Sequence, residues 1–288
     1  MHILLATDGS EHSECALRFV TRLQLSPEDR VTVLHVIGDH SPDVTHIKSI
    51  VAPRILDSAR TILEGQPAQT TTLLREGYAD VRIVETAKDT GADLIVMGAR
   101  GLKPLPSVIY GSITRSVVIQ APVPVFVIQM PRELPGPQLK ILYATDGSDC
   151  ALDAGRLLCE MPFPDDSEVS VLHVIPSGID IPQKFHLELD AMIRETAEKI
   201  RAVELKKSEK VLELSFESFK GRYSKAYTVT KFGDPPTEII ETAESLKSDV
   251  IVVGSRGVRG IKGMLGSTSR NVFRHARCSV LIGRKRQV

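Results

Sequence analysis

Two aspartates and two glycine runs are the residues best placed to do chemistry. Asp8 and Asp146 each stand in the five-residue sequence Ala-Thr-Asp-Gly-Ser, directly after a short apolar run. Asp, Gly and Ser in this order make a turn, and Ser10 or Asp8 can cap the helix that follows. A carboxylate in this place can equally accept hydrogen bonds from the hydroxyl pair of a ribose. Further along, residues 98–112 read GARGLKPLPSVIYGS, a Gly-x2-Gly-x9-Gly-Ser pattern made of Gly98, Gly101, Gly111 and Ser112. A helix starting at Gly111-Ser112 would aim its free N–H groups and the positive end of its dipole at an anion such as a phosphate. Glycines let the backbone come close to oxygen atoms. The other reading of the same residues is a flexible strand-to-helix loop in which Ser112 donates or caps. The pattern returns as GSRGVRGIKGMLGS, with Gly254, Gly257, Gly266 and Ser267. Two copies at equivalent positions favour phosphate binding over a bare loop.

The repetition extends beyond these motifs. Asp8 matches Asp146, and His35-Val36 matches His173-Val174 at the same offset. Gly98 then matches Gly254 at an offset longer by about 18 residues, so the second half carries an insertion between its second and third strands. A repeat of about 140 residues is too long for a solenoid unit, and a chain of 288 residues is the length of two domains. The expected division is a first domain over 1–131, a linker over 132–138 and a second domain over 139–288. The three prolines and one glycine of residues 131–138 (PRELPGPQ) mark the boundary.

Within each half, buried-looking strands alternate with helical stretches. Apolar runs rich in β-branched residues predict strands at 2–7, 31–37, 70–75, 93–98 and 123–129. Helices are expected at 12–24, about 44–64, 78–90 and 111–120. The second half predicts strands near 139–145, 169–175, 227–232, 249–254 and 279–282, and its insertion lengthens an amphipathic helix over about 185–218. The apolar face of that helix is expected to be core. The fold class is α/β: two tandem open doubly wound domains, each with a five-stranded, mainly parallel sheet and helices on both faces. In such sheets ligands bind beyond the carboxyl ends of the strands, near the point where strand order reverses. Asp8 and Asp146 follow the first strands and Gly98 and Gly254 end the fourth, so both motifs fall there.

These residues together resemble the universal stress protein family, in its tandem form and its ATP-binding branch. The resemblance rests on ATDGS after the first strand, LHV in the second, and Gly-x2-Gly-x9-Gly-Ser after the fourth. It covers nearly the whole chain. It implies that Asp8 holds the ribose, that the Val36 backbone reads adenine, and that Gly98, Gly101, Gly111 and Ser112 surround ribose and phosphates. The implied second set is Asp146, Val174, Gly254, Gly257, Gly266 and Ser267. The implied cofactor is ATP, with Mg2+ as its counter-ion. The second loop departs from the pattern, with eight residues rather than nine between Gly257 and Gly266, and it carries Arg256, Arg259 and Lys262. The first loop keeps the spacing but contains Pro104 and Pro106, which have no N–H to donate.

Other chemistries lack their residues. No GxxxxGK[ST], no GxGxxG after the first strand, no GxSxG and no HExxH occurs. His35 and His173 sit in apolar strands and read as structural. With no general base evident in either loop, the chain is expected to hydrolyse ATP slowly at most and is not read as a dedicated enzyme. Lys plus Arg equals Asp plus Glu at 36 each, which argues against nucleic-acid or membrane partners held by bulk charge. Cys15, Cys150, Cys159 and Cys278 show no metal spacing and read as reduced, mostly buried thiols. The expected location is the cytoplasm, and the expected function is a regulatory or stress-response protein that binds adenine nucleotide. A scaffold that keeps the fold without the ligand, and a slow ATPase, are the alternatives. The last strand of each half would leave an apolar sheet edge. Pairing the two edges within the chain covers both and makes an intrachain pseudo-dimer, and a homodimer through the long helix is a further expectation.

Overall fold

The computed structural model describes residues 1–38, 42–101, 110–130, 138–176, 191–217, 219, 221–257 and 265–285. The first half runs β1 (His2–Thr7), α1 (Glu11–Val20), β2 (Arg30–Ile37), α2 (Pro42–Ile62), β3 (Gln69–Glu76), α3 (Ala79–Asp89), β4 (Leu94–Gly98), α4 (Ser112–Gln120) and β5 (Val125–Ile128). The second runs β6 (Lys140–Ala144), α5 (Asp149–Glu160), β7 (Glu168–Pro176), α6 (Ala191–Glu217), β8 (Lys225–Gly233), α7 (Pro235–Ser245), β9 (Val250–Gly254), α8 (Ser267–His275) and β10 (Ser279–Gly283). Every strand and helix expected from the periodicity is present, with ends moved by a few residues. The first turns of the expected long helix, 185–190, lie outside the described residues, as does most of the expected linker.

The strands form one ten-stranded sheet in the order β3-β2-β1-β4-β5-β10-β9-β6-β7-β8. All neighbours are parallel except β5 and β10, which pair antiparallel with Phe126 opposite Leu281. The two apolar edges thus cover each other, as the edge argument requires. Within each half, order reverses between the first and fourth strands: β1 pairs β4 with Ala6 opposite Met97, and β6 pairs β9 with Ala144 opposite Val253. The carboxyl ends of β1 and β4, and of β6 and β9, therefore lie side by side. The motif residues follow directly from these ends.

Side chains alternate along buried strands, so each strand feeds two cores. One core joins Leu5, Leu17, Val33, Phe126, Tyr143, Leu158, Phe163 and Phe219 under α1, α2, α5 and α6. The other joins Leu4, Ile95, Val117, Val125, Leu142, Ile251, Val272 and Phe273 under α3, α4, α7 and α8. Both cores run through the β5–β10 junction. Phe126 sits there with no exposed surface. Its ring meets Phe19 at 5.1 Å and Phe163 at 6.0 Å, both edge-to-face.

Long-range polar contacts also cross between the halves. Tyr110, in the first half, stacks on Phe273 of α8 with ring centroids 4.1 Å apart. Arg284, just past β10, donates its guanidinium to the carbonyls of Val118 and Ala121 at the end of α4. A cation from the second half thus caps the negative end of a helix in the first. Burial, and then the nearby Arg256, lower the Arg284 pKa to about 10. We expect Arg284→Ala to cost about 1–3 kcal/mol, because it strands two carbonyls of the last turn. The check is the midpoint of a urea melt at unchanged slope. An unmoved midpoint would mean that water replaces the guanidinium without loss.

Two expectations need correction. None of the four cysteines is in a disulfide, but each is partly rather than fully buried. Helix α6 hides a mixed face of Ser208, Leu212 and Ser215, while Ile200, Val203, Leu205 and Leu214 are exposed. Its apolar spacing therefore does not mark core alone. Around residues 195–203 nearly every side chain is exposed, and further along only one face of the helix is buried.

Candidate functional site

Each site begins with a capped turn. In the first half the Ser10 hydroxyl caps α1 by accepting from the Ser13 N–H at 3.3 Å. The Ser10 N–H itself donates to Asp8 Oδ1 at 3.0 Å. The second half repeats both bonds: Ala151 N–H to Ser148 Oγ at 3.3 Å, and Ser148 N–H to Asp146 Oδ1 at 3.0 Å. Serine caps the helix, and one oxygen of each aspartate is engaged by its own turn.

The other carboxylate oxygen faces the glycine loop. A Cβ added at Gly101 would lie 2.5 Å from Asp8 Oδ2, and one added at Gly257 would lie 2.5 Å from Asp146 Oδ2. A side chain at either place would force the carboxylate to move, and glycine leaves it where it stands. The last glycine of each fourth strand is required for a different reason. A Cβ at Gly98 would sit 2.6 Å from the backbone of His12, and one at Gly254 would sit 2.7 Å from that of Cys150. Here the strand end packs directly on the first turn of the helix that follows the aspartate turn, α1 or α5.

The loops then close onto the next helix. Gly111 N–H donates to Ala99 O at 2.9 Å, and Gly266 N–H donates to Ser255 O at 2.8 Å. The Thr114 hydroxyl reaches Gly98 O at 3.2 Å, and the Ser269 hydroxyl reaches Gly254 O at 2.5 Å. These bonds gather Asp8, Gly98, Gly101 and Gly111 at one place, and Asp146, Gly254, Gly257 and Gly266 at the equivalent place. Ser112 and Ser267 are the first residues of α4 and α8, and both are exposed. The cap positions are Gly111 and Gly266, which have no side chain to cap with. Of the two roles expected for Ser112 and Ser267, hydroxyl donor or N-cap, the cap is thereby removed. Their hydroxyls stand beside the helix N-terminus, where a donor to an anion is useful.

Val36 and Val174 lie near the carboxyl ends of β2 and β7, on the strands beside β1 and β6. Val36 is half-buried and Val174 is buried. The histidines in front of them have structural partners. His35 Nδ1 donates to Thr7 O at 2.8 Å, next to Asp8, and His173 Nδ1 lies 2.7 Å from Ser208 Oγ. Burial lowers the His173 pKa below its ordinary value, while Asp146 and then Glu204 oppose that shift. The middle stretches 102–109 and 258–264, with Pro104, Pro106, Arg259 and Lys262, lie outside the described residues. Sequence reasoning passed over Thr7, Thr145, Ser13 and Ser215, which support the turns. Thr7 and Thr145 sit inside the repeated motif, but nothing local marks Ser215, which is far away in the chain.

What the arrangement offers is a carboxylate acceptor, a glycine-lined approach and a helix N-terminus, gathered where a reversal of strand order leaves a crevice in such sheets. Among the described residues no cluster of His, Cys, Asp and Glu could hold a metal ion, and no helix is long and apolar enough to cross a membrane. The sequence model of the universal stress protein family matches residues 1–129 and again 139–284. Universal stress protein MJ0531 of Methanocaldococcus jannaschii is 32% identical over 150 residues, 51% of this chain and 82% of that protein. A universal stress protein of Mycolicibacterium smegmatis is 25% identical along 99% of this chain and 97% of its own. The crystal structure of a universal stress protein from Archaeoglobus fulgidus shares the fold end to end, with a TM-score of 0.63 at 21% identity over 99% of this chain and 97% of that one. The chain belongs to the universal stress protein family, as two copies of its domain in tandem.

Proposed function

We propose that the chain is a cytoplasmic regulatory protein that binds ATP at the two Asp–Gly crevices and hydrolyses it slowly or not at all. One observation carries the reading: in both halves an aspartate oxygen lies against a glycine at which any side chain would displace it, beside the N-terminus of a helix. A ribose hydroxyl pair donates to the carboxylate. The phosphates meet the N–H groups and dipole of α4 or α8, with Ser112 or Ser267 as donor and Mg2+ as counter-ion. The backbone at Val36 or Val174 supplies the hydrogen bonds that read adenine. With Asp8 and Asp146 engaged at the ribose end, neither is left to activate water at the terminal phosphate. The exposed Ile200, Val203 and Leu214 of α6 are the surface on which a homodimer of the chain would close.

The test is nucleotide carried through purification, identified by mass spectrometry, together with a thermal shift in ATP–Mg. At free ligand a hundredfold above Kd, binding to the native state alone adds about 2.7 kcal/mol of stability per site. No bound nucleotide and no shift at millimolar ATP–Mg would leave the fold as a scaffold without this ligand.

A further inference from the structure

The two aspartate turns have the same sequence but different supports. In the first half, Thr7 Oγ1 accepts from the Gly9 N–H at 3.3 Å and donates to Ser13 Oγ at 3.0 Å, on the adjoining helix α1. In the second half, Thr145 Oγ1 accepts from the Gly147 N–H at 3.2 Å in the same way. The residue matching Ser13 is Ala151, which has no hydroxyl. The partner comes instead from α6: Ser215 Oγ lies 3.2 Å from Thr145 Oγ1, and both residues are buried. A second exchange runs beside it. His35 holds the carbonyl of Thr7, whereas His173 is turned to Ser208 of α6, whose hydroxyl lies 3.2 Å from that of Thr230. Between the two serines, Val211 packs against the turn, within 3.1 Å of where a Cβ on Gly147 would be. Ser208, Val211 and Ser215 are spaced to lie on one face of the helix.

We propose that Ser215 is a positioning residue for the second nucleotide site: through Thr145 it sets the turn that presents Asp146, so the grip of that site on a ribose depends on a hydroxyl from helix α6, while in the first site, where Ile55 of α2 packs on the turn as Val211 does here, the matching hydroxyl comes from α1. The proposal rests on the reading of the Asp146 crevice as a nucleotide site. The bond chain is short. Ser215 orients the Thr145 hydroxyl, that hydroxyl holds the Gly147 N–H, and Gly147 fixes the turn between Asp146 and its amide donor Ser148. Removing the Ser215 hydroxyl takes away one of the two hydroxyl neighbours of the buried Thr145 side chain and leaves the Tyr143 phenol, and the turn is free to re-aim the carboxylate.

The experiment uses the full chain with Asp8→Ala, so that the second site alone is read by calorimetric titration with ATP–Mg. Adding Ser215→Ala should weaken binding about tenfold, the size of one lost hydrogen bond. Adding Ala151→Ser as well should restore it, because a hydroxyl then comes from α5 as Ser13 supplies one from α1. A general loosening of α6 would not be cured from α5, so the rescue separates positioning from packing. Melting without nucleotide is followed in parallel. Unchanged affinity in Ser215→Ala, or no rescue by Ala151→Ser, overturns the inference while the nucleotide reading stands. If the Asp8→Ala parent takes up no ATP, the nucleotide reading of this half fails, and the inference fails with it.

Discussion

Replacing Phe126 with alanine lowers the unfolding free energy by about 3–5 kcal/mol, the largest stability loss we expect from one side chain here. Phe126 is fully buried in β5, the strand through which the halves join, and it touches Phe19 of its own half and Phe163 of the other. The loss combines transfer of the ring to water, the cavity left among side chains that cannot all close in, and two edge-to-face contacts. The sheet is continuous across β5 and β10 and both cores span them. The melt of the variant should therefore remain a single transition at a lower denaturant midpoint. A loss under about 1 kcal/mol would show that the junction repacks without this ring.

The second large effect falls on binding. Arginine at Gly101 or Gly257 removes nucleotide from its own half, by at least about a hundredfold in affinity, since a ribose-binding carboxylate accepts charge-assisted hydrogen bonds that are lost together. The new Cβ would begin 2.5 Å from Asp8 Oδ2 or Asp146 Oδ2. The carboxylate must turn away, and the long cation that follows lies where the ribose and phosphates would go. Both substitutions are on loops at the mouth of the crevice, outside the strands, so stability without ligand changes far less than in Phe126→Ala. The double variant should purify free of nucleotide and show no thermal shift with ATP–Mg. A double variant that still carries ATP would place the ligand elsewhere.

Much of this was legible in the sequence, and the reasons are local. β1, β4, β6 and β9 are short apolar runs ended by an Asp or Gly turn, and such runs fold as strands buried on both faces. The pairing of β5 with β10 followed from the cost of leaving either apolar edge open, and its antiparallel sense came from the structure. The repeat placed Asp8 with Gly101 and Asp146 with Gly257, because the same strand order brings the first and fourth strands together. What could not be read depends on contacts distant in the chain. Arg284 caps α4 across the junction, and nothing near either residue signals it. Ser215, from α6 far along the chain, replaces Ser13 as the partner of the turn threonine, again with no signal near either residue. Ser112 and Ser267 looked like caps because serine favours that place, yet the chain enters each helix one residue earlier, at glycine. The exposed Leu214 and Ile200 of α6 carry helical spacing, and spacing alone does not tell whether a neighbour is there to cover it.

The central claim is that the Asp–Gly crevices bind adenine nucleotide, and a crystal structure of the full chain grown with ATP and Mg2+ tests it most directly. The account predicts nucleotide density with a ribose hydroxyl within hydrogen-bond reach of Asp8 or Asp146 and phosphates at the N-terminus of α4 or α8. Both crevices empty at saturating ATP, or a nucleotide bound away from these aspartates, would contradict it.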